Sequence, residues 1–161
     1  MSPEIANLIE EARSQHFETS SNAITSIALL LERVSMSREG DASYEPLLPV
    51  GLYRRKLSPN EVDALVLAVT EILKGGSQLA GSAAWALGKT RSARVVPDLI
   101  TSLRNWRGHD DFTAYNILIA LADCGGLESA RSSVEEILRD GADKPSSMEY
   151  AQRIISRMSA S

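Results

Sequence analysis

The run Leu79–Leu103, LAGSAAWALGKTRSARVVPDLITSL, decides the fold. Ala80, Ala83, Ala84 and Leu87 recur at three- and four-residue spacing, which puts small and apolar groups on one helix face. Short side chains there let a neighbouring helix come close. Gly88 offers a backbone that can leave the helix in the left-handed region. Pro97 predicts the start of a second helix, since its fixed φ and missing N–H suit a first turn. Leu99, Ile100 and Leu103 continue that helix as an apolar stripe, and Asp98 sits where a carboxylate favours the helix dipole.

The same unit recurs along the chain. Ala86-Leu87 is matched by Ala120-Leu121 34 residues on, and Ile154-Ile155 follows at a further 34. The partner helices repeat too, with Leu99 and Leu103 echoed by Val134 and Leu138, and preceded by Val69 and Leu73. A helix pair at a period of 30 to 35 residues predicts an all-α, short α-solenoid. The run SAAWALGKTRSARVVPDLITSL resembles the HEAT-like repeats of phycobilisome lyases, whose pattern is Ala-Ala-x-Ala-Leu-Gly, a short break, then Val-Pro-x-Leu-Ile-x-x-Leu. In that family Val-Arg usually opens the second helix and an Asp precedes it. Here Leu79-Ala80, Thr113-Ala114 and Ser147-Met148 stand at the place of Val-Arg, so the resemblance carries over no Asp–Arg ladder.

Outward from the repeat, the chain reads as one domain over 1–161: a degenerate N-terminal helix pair (1–35), an irregular insertion (36–57) and about three helical hairpins (58–161). Helices are expected near 3–16, 22–35, 59–74, 78–89, 96–106, 111–124, 127–140 and 147–158. Thr19-Ser20-Ser21-Asn22 is read as the break between the first two. Ser58-Pro59-Asn60-Glu61 has the residues of a capping box, Asp110-Asp111 can cap a later helix, and Ser146 with Glu149 has the spacing of a second box. The insertion holds Pro46, Pro49 and Gly51, which disfavour a helix, while its Leu, Val and Tyr residues predict that its second half packs down. Its Arg54-Arg55-Lys56 cluster reads as a solvated charge group.

Composition bounds the function. Of 161 residues, 43% are hydrophobic and 24% charged, as in ordinary globular chains, and the formal net charge of −4 argues against a general nucleic-acid binder. The single cysteine, Cys124, permits no internal disulfide and reads as a buried structural thiol. The N-terminus is acidic, unlike a signal peptide, and the longest apolar run is too short to span a bilayer, so a cytoplasmic location with no membrane partner is expected.

No catalytic constellation, metal cluster or cofactor motif emerges, and the chain is expected not to be an enzyme. Ala83-x-x-x-x-Gly88-Lys89-Thr90 matches a relaxed phosphate-loop pattern, but it follows helix formers instead of a strand and reads as a helix terminus. His16 and His109 have no Cys or His at ligand spacing, and Trp106-Arg107 reads as a staple at a repeat junction. The leading expectation is a protein-binding module. Small acidic helical-repeat chains resemble immunity proteins that neutralise bacterial toxins, and negative charge would suit a basic toxin domain. The alternative that the family resemblance implies is a bilin-lyase-type enzyme or chromophore-attachment helper. In HEAT-like units the second helix of each pair lines the concave side. Its exposed positions here are Trp85, Asp111, Tyr115, Asn116, Asp123, Tyr150, Arg153 and Arg157, the expected partner-binding set, with Tyr44 and Tyr53 expected to flank one end.

Overall fold

The computed structural model describes residues 1–38, 41–53, 55–140 and 145–159. Arg54 of the basic cluster lies outside the described residues. The described residues form eight α-helices, two short 3-10 turns (Ala42–Leu47 and Ala93–Val95) and no strand. The helices are α1 Pro3–Ala12, α2 Phe17–Ser35, α3 Pro59–Lys74, α4 Ala80–Gly88, α5 Val96–Trp106, α6 Asp111–Asp123, α7 Leu127–Asp140 and α8 Pro145–Ser159.

The helices pack in two rows. Each odd-numbered helix packs on the even-numbered helix that follows it. Within a row, α2 meets α4, α4 meets α6 and α6 meets α8, while α1, α3, α5 and α7 meet in the same succession. The apolar residues between the rows form one core that runs from Ile5 to Ile154.

α4 lies at the centre, in contact with α2, α3 and α6. The sequence predicts one buried stripe for it, but Ala80, Gly81, Ala83, Ala84, Ala86, Leu87 and Gly88 are all buried. Neighbours on three sides leave Ser82 and Trp85 as its only half-exposed residues. Gly88 is helical and does not make the turn, contrary to its expected use. A Cβ there would sit 3.0 Å from Cα and 3.2 Å from Cβ of Ala120, so its missing side chain serves the α4–α6 approach. The left-handed residue of this connection is Arg91, at φ 49°.

Two expected helix starts are corrected. α1 ends at Ala12 and α2 begins at Phe17, so Thr19–Asn22 lies inside a helix and the break is Arg13–His16. The polar run is tolerated because Ser20 Oγ donates to the Ala12 carbonyl at 2.5 Å, satisfying an end of α1. α8 begins at Pro145, one residue before Ser146, so Ser146 is helical and cannot be the N-cap of a box with Glu149. Glu149 instead pairs with Arg153 one turn on.

The insertion packs down as expected, burying Tyr44, Leu48, Leu52 and Leu57. Tyr44 is therefore core, not a flank to a binding surface; Tyr53 is half-buried. Two charged residues tie this segment to the helices. Arg33, fully buried near the end of α2, donates to the carbonyls of Leu52 at 3.0 Å, of Arg55 at 2.6 Å and of Tyr53. Glu61, in the first turn of α3, completes the expected capping box with Ser58. Its carboxylate also accepts from the Ser2 backbone at 3.1 Å and the Arg55 guanidinium at 2.8 Å.

Those bonds set a pH dependence. The Ser58 N–H, aided by Ser2, the Ser58 hydroxyl and Arg55, outweighs burial and lowers Glu61 from 4.5 to about 2. The folded protein keeps Glu61 ionised to about pH 2, whereas the unfolded chain protonates it near 4.5 and so binds more protons between those values. Its stabilisation is complete above the unfolded value and is lost as pH falls toward the folded one. Urea titrations of the wild type and Glu61→Gln should therefore differ by a constant amount at neutral pH, the gap closing between about pH 4.5 and pH 2. A gap that is flat with pH would contradict this role.

Candidate functional site

The site is built from the first turns of α6 and α8. Asp110 is the N-cap of α6, its Oδ2 accepting from Thr113 N at 3.0 Å. With the cap filled by Asp110, the Asp111 carboxylate reaches across to α8. Its Oδ1 accepts from Ser147 N at 3.0 Å and Ser147 Oγ at 2.6 Å. These two bonds join the neighbouring even-numbered helices α6 and α8.

One turn along from the lock, Tyr115 and Tyr150 meet edge to face, with ring centroids 5.5 Å apart and planes at 77°. Phe112 is 60% exposed, and its ring also leans on α4, where a Cβ on Gly81 would lie 2.6 Å from Cε1. Asn116, expected at an exposed position, is instead buried, and its Nδ2 donates to the Phe112 carbonyl at 2.8 Å. Between the two helices lies an open pocket of about 500 Å³, lined by Asp111, Phe112, Tyr115, Asn116, Ser146, Glu149, Tyr150 and Arg153.

Five of the eight residues expected to bind a partner thus converge: Asp111, Tyr115, Asn116, Tyr150 and Arg153. Trp85, Asp123 and Arg157 stand outside the pocket wall. Trp85 is half-buried on α4 beneath Lys89, whose Nζ is 5.2 Å from the ring centroid and 2.8 Å from Glu32 Oε1. Asp123 is exposed at the end of α6. Its charge still reaches the pocket: burial, then Asp123 and Tyr115, push the Tyr150 hydroxyl above its ordinary value, while Arg157 and Arg153 pull it down.

Phe112, Ser146 and Glu149 are site residues that sequence reading missed. Phe112, Tyr115 and Asn116 stand at i, i+3 and i+4, and Glu149 with Arg153 at i, i+4, so helical spacing holds the signal for two of them.

The other candidates resolve as local structure. Lys89 follows the end of α4, and Thr90 Oγ1 donates to the Leu87 carbonyl at 2.7 Å, as at a helix terminus. Cys124 is buried, its Sγ 3.8 Å from the Leu87 carbonyl, and burial raises its thiol. His16 and His109 are exposed, and among the described residues no group of three or more His, Cys, Asp or Glu is placed to hold a metal. Trp106 ends α5, packed against the core, and Arg107 pairs with Glu136 of α7. Among the described residues no helix is long and apolar enough to cross a membrane.

Comparison with protein-family models, with curated proteins and with solved structures finds no match to the chain.

The Asp111 lock predicts a structural cost separate from binding. Asp111→Ala should lower unfolding free energy by about 1–3 kcal/mol, the range for a lost hydrogen bond to a charged group. Tyr150→Phe, which keeps the ring contact, should stay within about 0.5 kcal/mol of the wild type, as substitutions that keep packing do. Chemical denaturation measures both, and an unchanged midpoint for Asp111→Ala would remove the lock from the account.

Proposed function

We propose that the protein is a non-enzymatic protein-binding module, a short α-solenoid of HEAT-like hairpins that binds its partner through the even-numbered helices. The observation that carries this reading is the pairing of Tyr115 with Tyr150 beside exposed Phe112 in one open pocket. Aromatic side chains that are grouped, half-exposed and fixed on helices are the anchors that interfaces use.

The repeat reading has its own support. Residues one repeat apart touch, as Thr90 Oγ1 and Cys124 Sγ do at 3.9 Å, and helices alternate between two rows, as stacked hairpins must. Within this class, an immunity-type role against a basic toxin domain accords with the net charge of −4. Neutralisation by a binding protein requires a complementary surface and no catalytic group.

The test is site-specific photo-cross-linking in cells of the source organism. A photoreactive phenylalanine at 112 or 150 should form a discrete protein adduct. The same residue at exposed position 132 of α7 should not. Adducts from 132 alone would place the binding face on the other row. No adduct from either row would contradict the binding role.

A further inference from the structure

Independently of the partner-binding face, we propose that a cleft between the C-terminal ends of α3 and α5 binds a neutral heteroaromatic ring of the purine class. The cleft has a volume of about 360 Å³ and shares no lining residue with the pocket between α6 and α8. Leu73 and Lys74 close α3, Ser102, Asn105 and Trp106 come from the end of α5, and His109 from the turn that follows. That turn is fixed by the His109 N–H, which donates to the Trp106 carbonyl at 3.0 Å.

The cleft is marked by unused hydrogen-bonding capacity. In the α6–α8 pocket the polar side chains are bonded within the protein: Asp111 to Ser147, Asn116 to the Phe112 carbonyl and Glu149 to Arg153. Here the Ser102 hydroxyl, the Asn105 amide, the Trp106 indole N–H and the His109 imidazole have no hydrogen-bond partner among the described residues. Ser102 is the most telling, because it is 2% exposed and a hydroxyl withdrawn from water is costly until bonded. A ligand seated in the cleft supplies the missing partner.

The ligand class follows from the wall. Leu73 is fully buried and Trp106 half-buried, so a flat ring meets an apolar and aromatic lining, and stacking on an aromatic needs no charge. Ser102 and Asn105 both donate and accept, and the indole N–H donates. α3 and α5 arrive by the ends whose last carbonyls lack intrahelical partners, which adds acceptors and disfavours a phosphate. Lys74 does not reverse this, since its Nζ is paired with Asp98 at 2.6 Å. An uncharged ring with donors and acceptors on its edge meets every one of these groups. A purine offers more stacking area than a single ring, and about 360 Å³ matches a ligand of base or nucleoside size.

The test uses the full chain carrying Trp85→Phe, which leaves Trp106 as its one indole. Adenosine and guanosine are titrated while Trp106 emission is followed, with phenol and ribose as controls. Saturable quenching by at least one nucleoside is expected, about tenfold tighter than by phenol, with no response to ribose. Its 5′-monophosphate should bind no more tightly than the nucleoside. Asn105→Ala and Ser102→Ala should each weaken the nucleoside by about fivefold, with circular dichroism showing that each variant is folded. If Trp85→Phe does not fold, the indole N–H resonance of Trp106 in the wild type gives the same readout. No saturation by either nucleoside, equal affinity for phenol, tighter binding of the monophosphate, or binding undiminished in both variants would overturn the inference.

Discussion

The close approach of α4 to α6 is the constraint on which the architecture turns. Ala83, Ala84, Ala86 and Gly88 give α4 almost no side-chain volume, and α6 answers with Ala114 and Ala120. Packed helices then gain dispersion contacts along their backbones in place of interdigitated long side chains. Glycine costs helix propensity, roughly 1 kcal/mol relative to alanine at each of Gly81 and Gly88. Both positions use the missing Cβ: Gly81 admits the Phe112 ring, and Gly88 admits the backbone of α6. Leu87 and Leu121, fully buried, fill the space that the small residues leave.

A second constraint holds the N-terminal half. The segment between α2 and α3 is too rich in proline and glycine to be helical, so its backbone carbonyls need other partners. Arg33 supplies them from inside the core, and Glu61 collects donors from the N-terminus, the segment and the α3 cap. A buried charge is costly when unpartnered, but each of these two makes several charge-assisted bonds. The segment is thereby fixed to α2 and α3, and its described residues hold no helix or strand beyond a 3-10 turn.

How much of this was legible follows from the range of the interactions. Features with a local cause could be read: the alanine spacing of α4, the Ser58 capping box, the Asp110 cap, the entry to α5 through Pro97. Features whose partner lies far along the chain could not. Thr19–Asn22 has every mark of a helix break, yet Ser20 spends its hydroxyl on Ala12, and the chain turns at Arg13–His16. Ser146 has the spacing of a cap, yet the bond that anchors this start comes from Asp111, 36 residues before Ser147. Arg33 reads as an ordinary polar residue at the end of a helix, and no local pattern announces that it is buried. The candidate site was legible by face for Tyr115, Tyr150 and Arg153, which follow from helical phase, whereas Asn116 was expected exposed and is buried. Sequence reading did not show that Asp111 is bound to α8, or that Phe112 stays exposed beside it.

The pocket residues sit on α6 and α8, and their geometry is inherited from α4 through the α4–α6 contact and the Asp111–Ser147 bond. The claim that the row is built outward from α4 is tested most directly by native-state hydrogen exchange, resolved by residue. Amides open with free energies that rise toward the global value where packing is densest. The account predicts the slowest exchange in α4 and the facing half of α6, with α1, the 41–53 segment and the end of α8 exchanging faster. If α4 exchanges as fast as α1 or the 41–53 segment, the close α4–α6 approach is not what holds the molecule together.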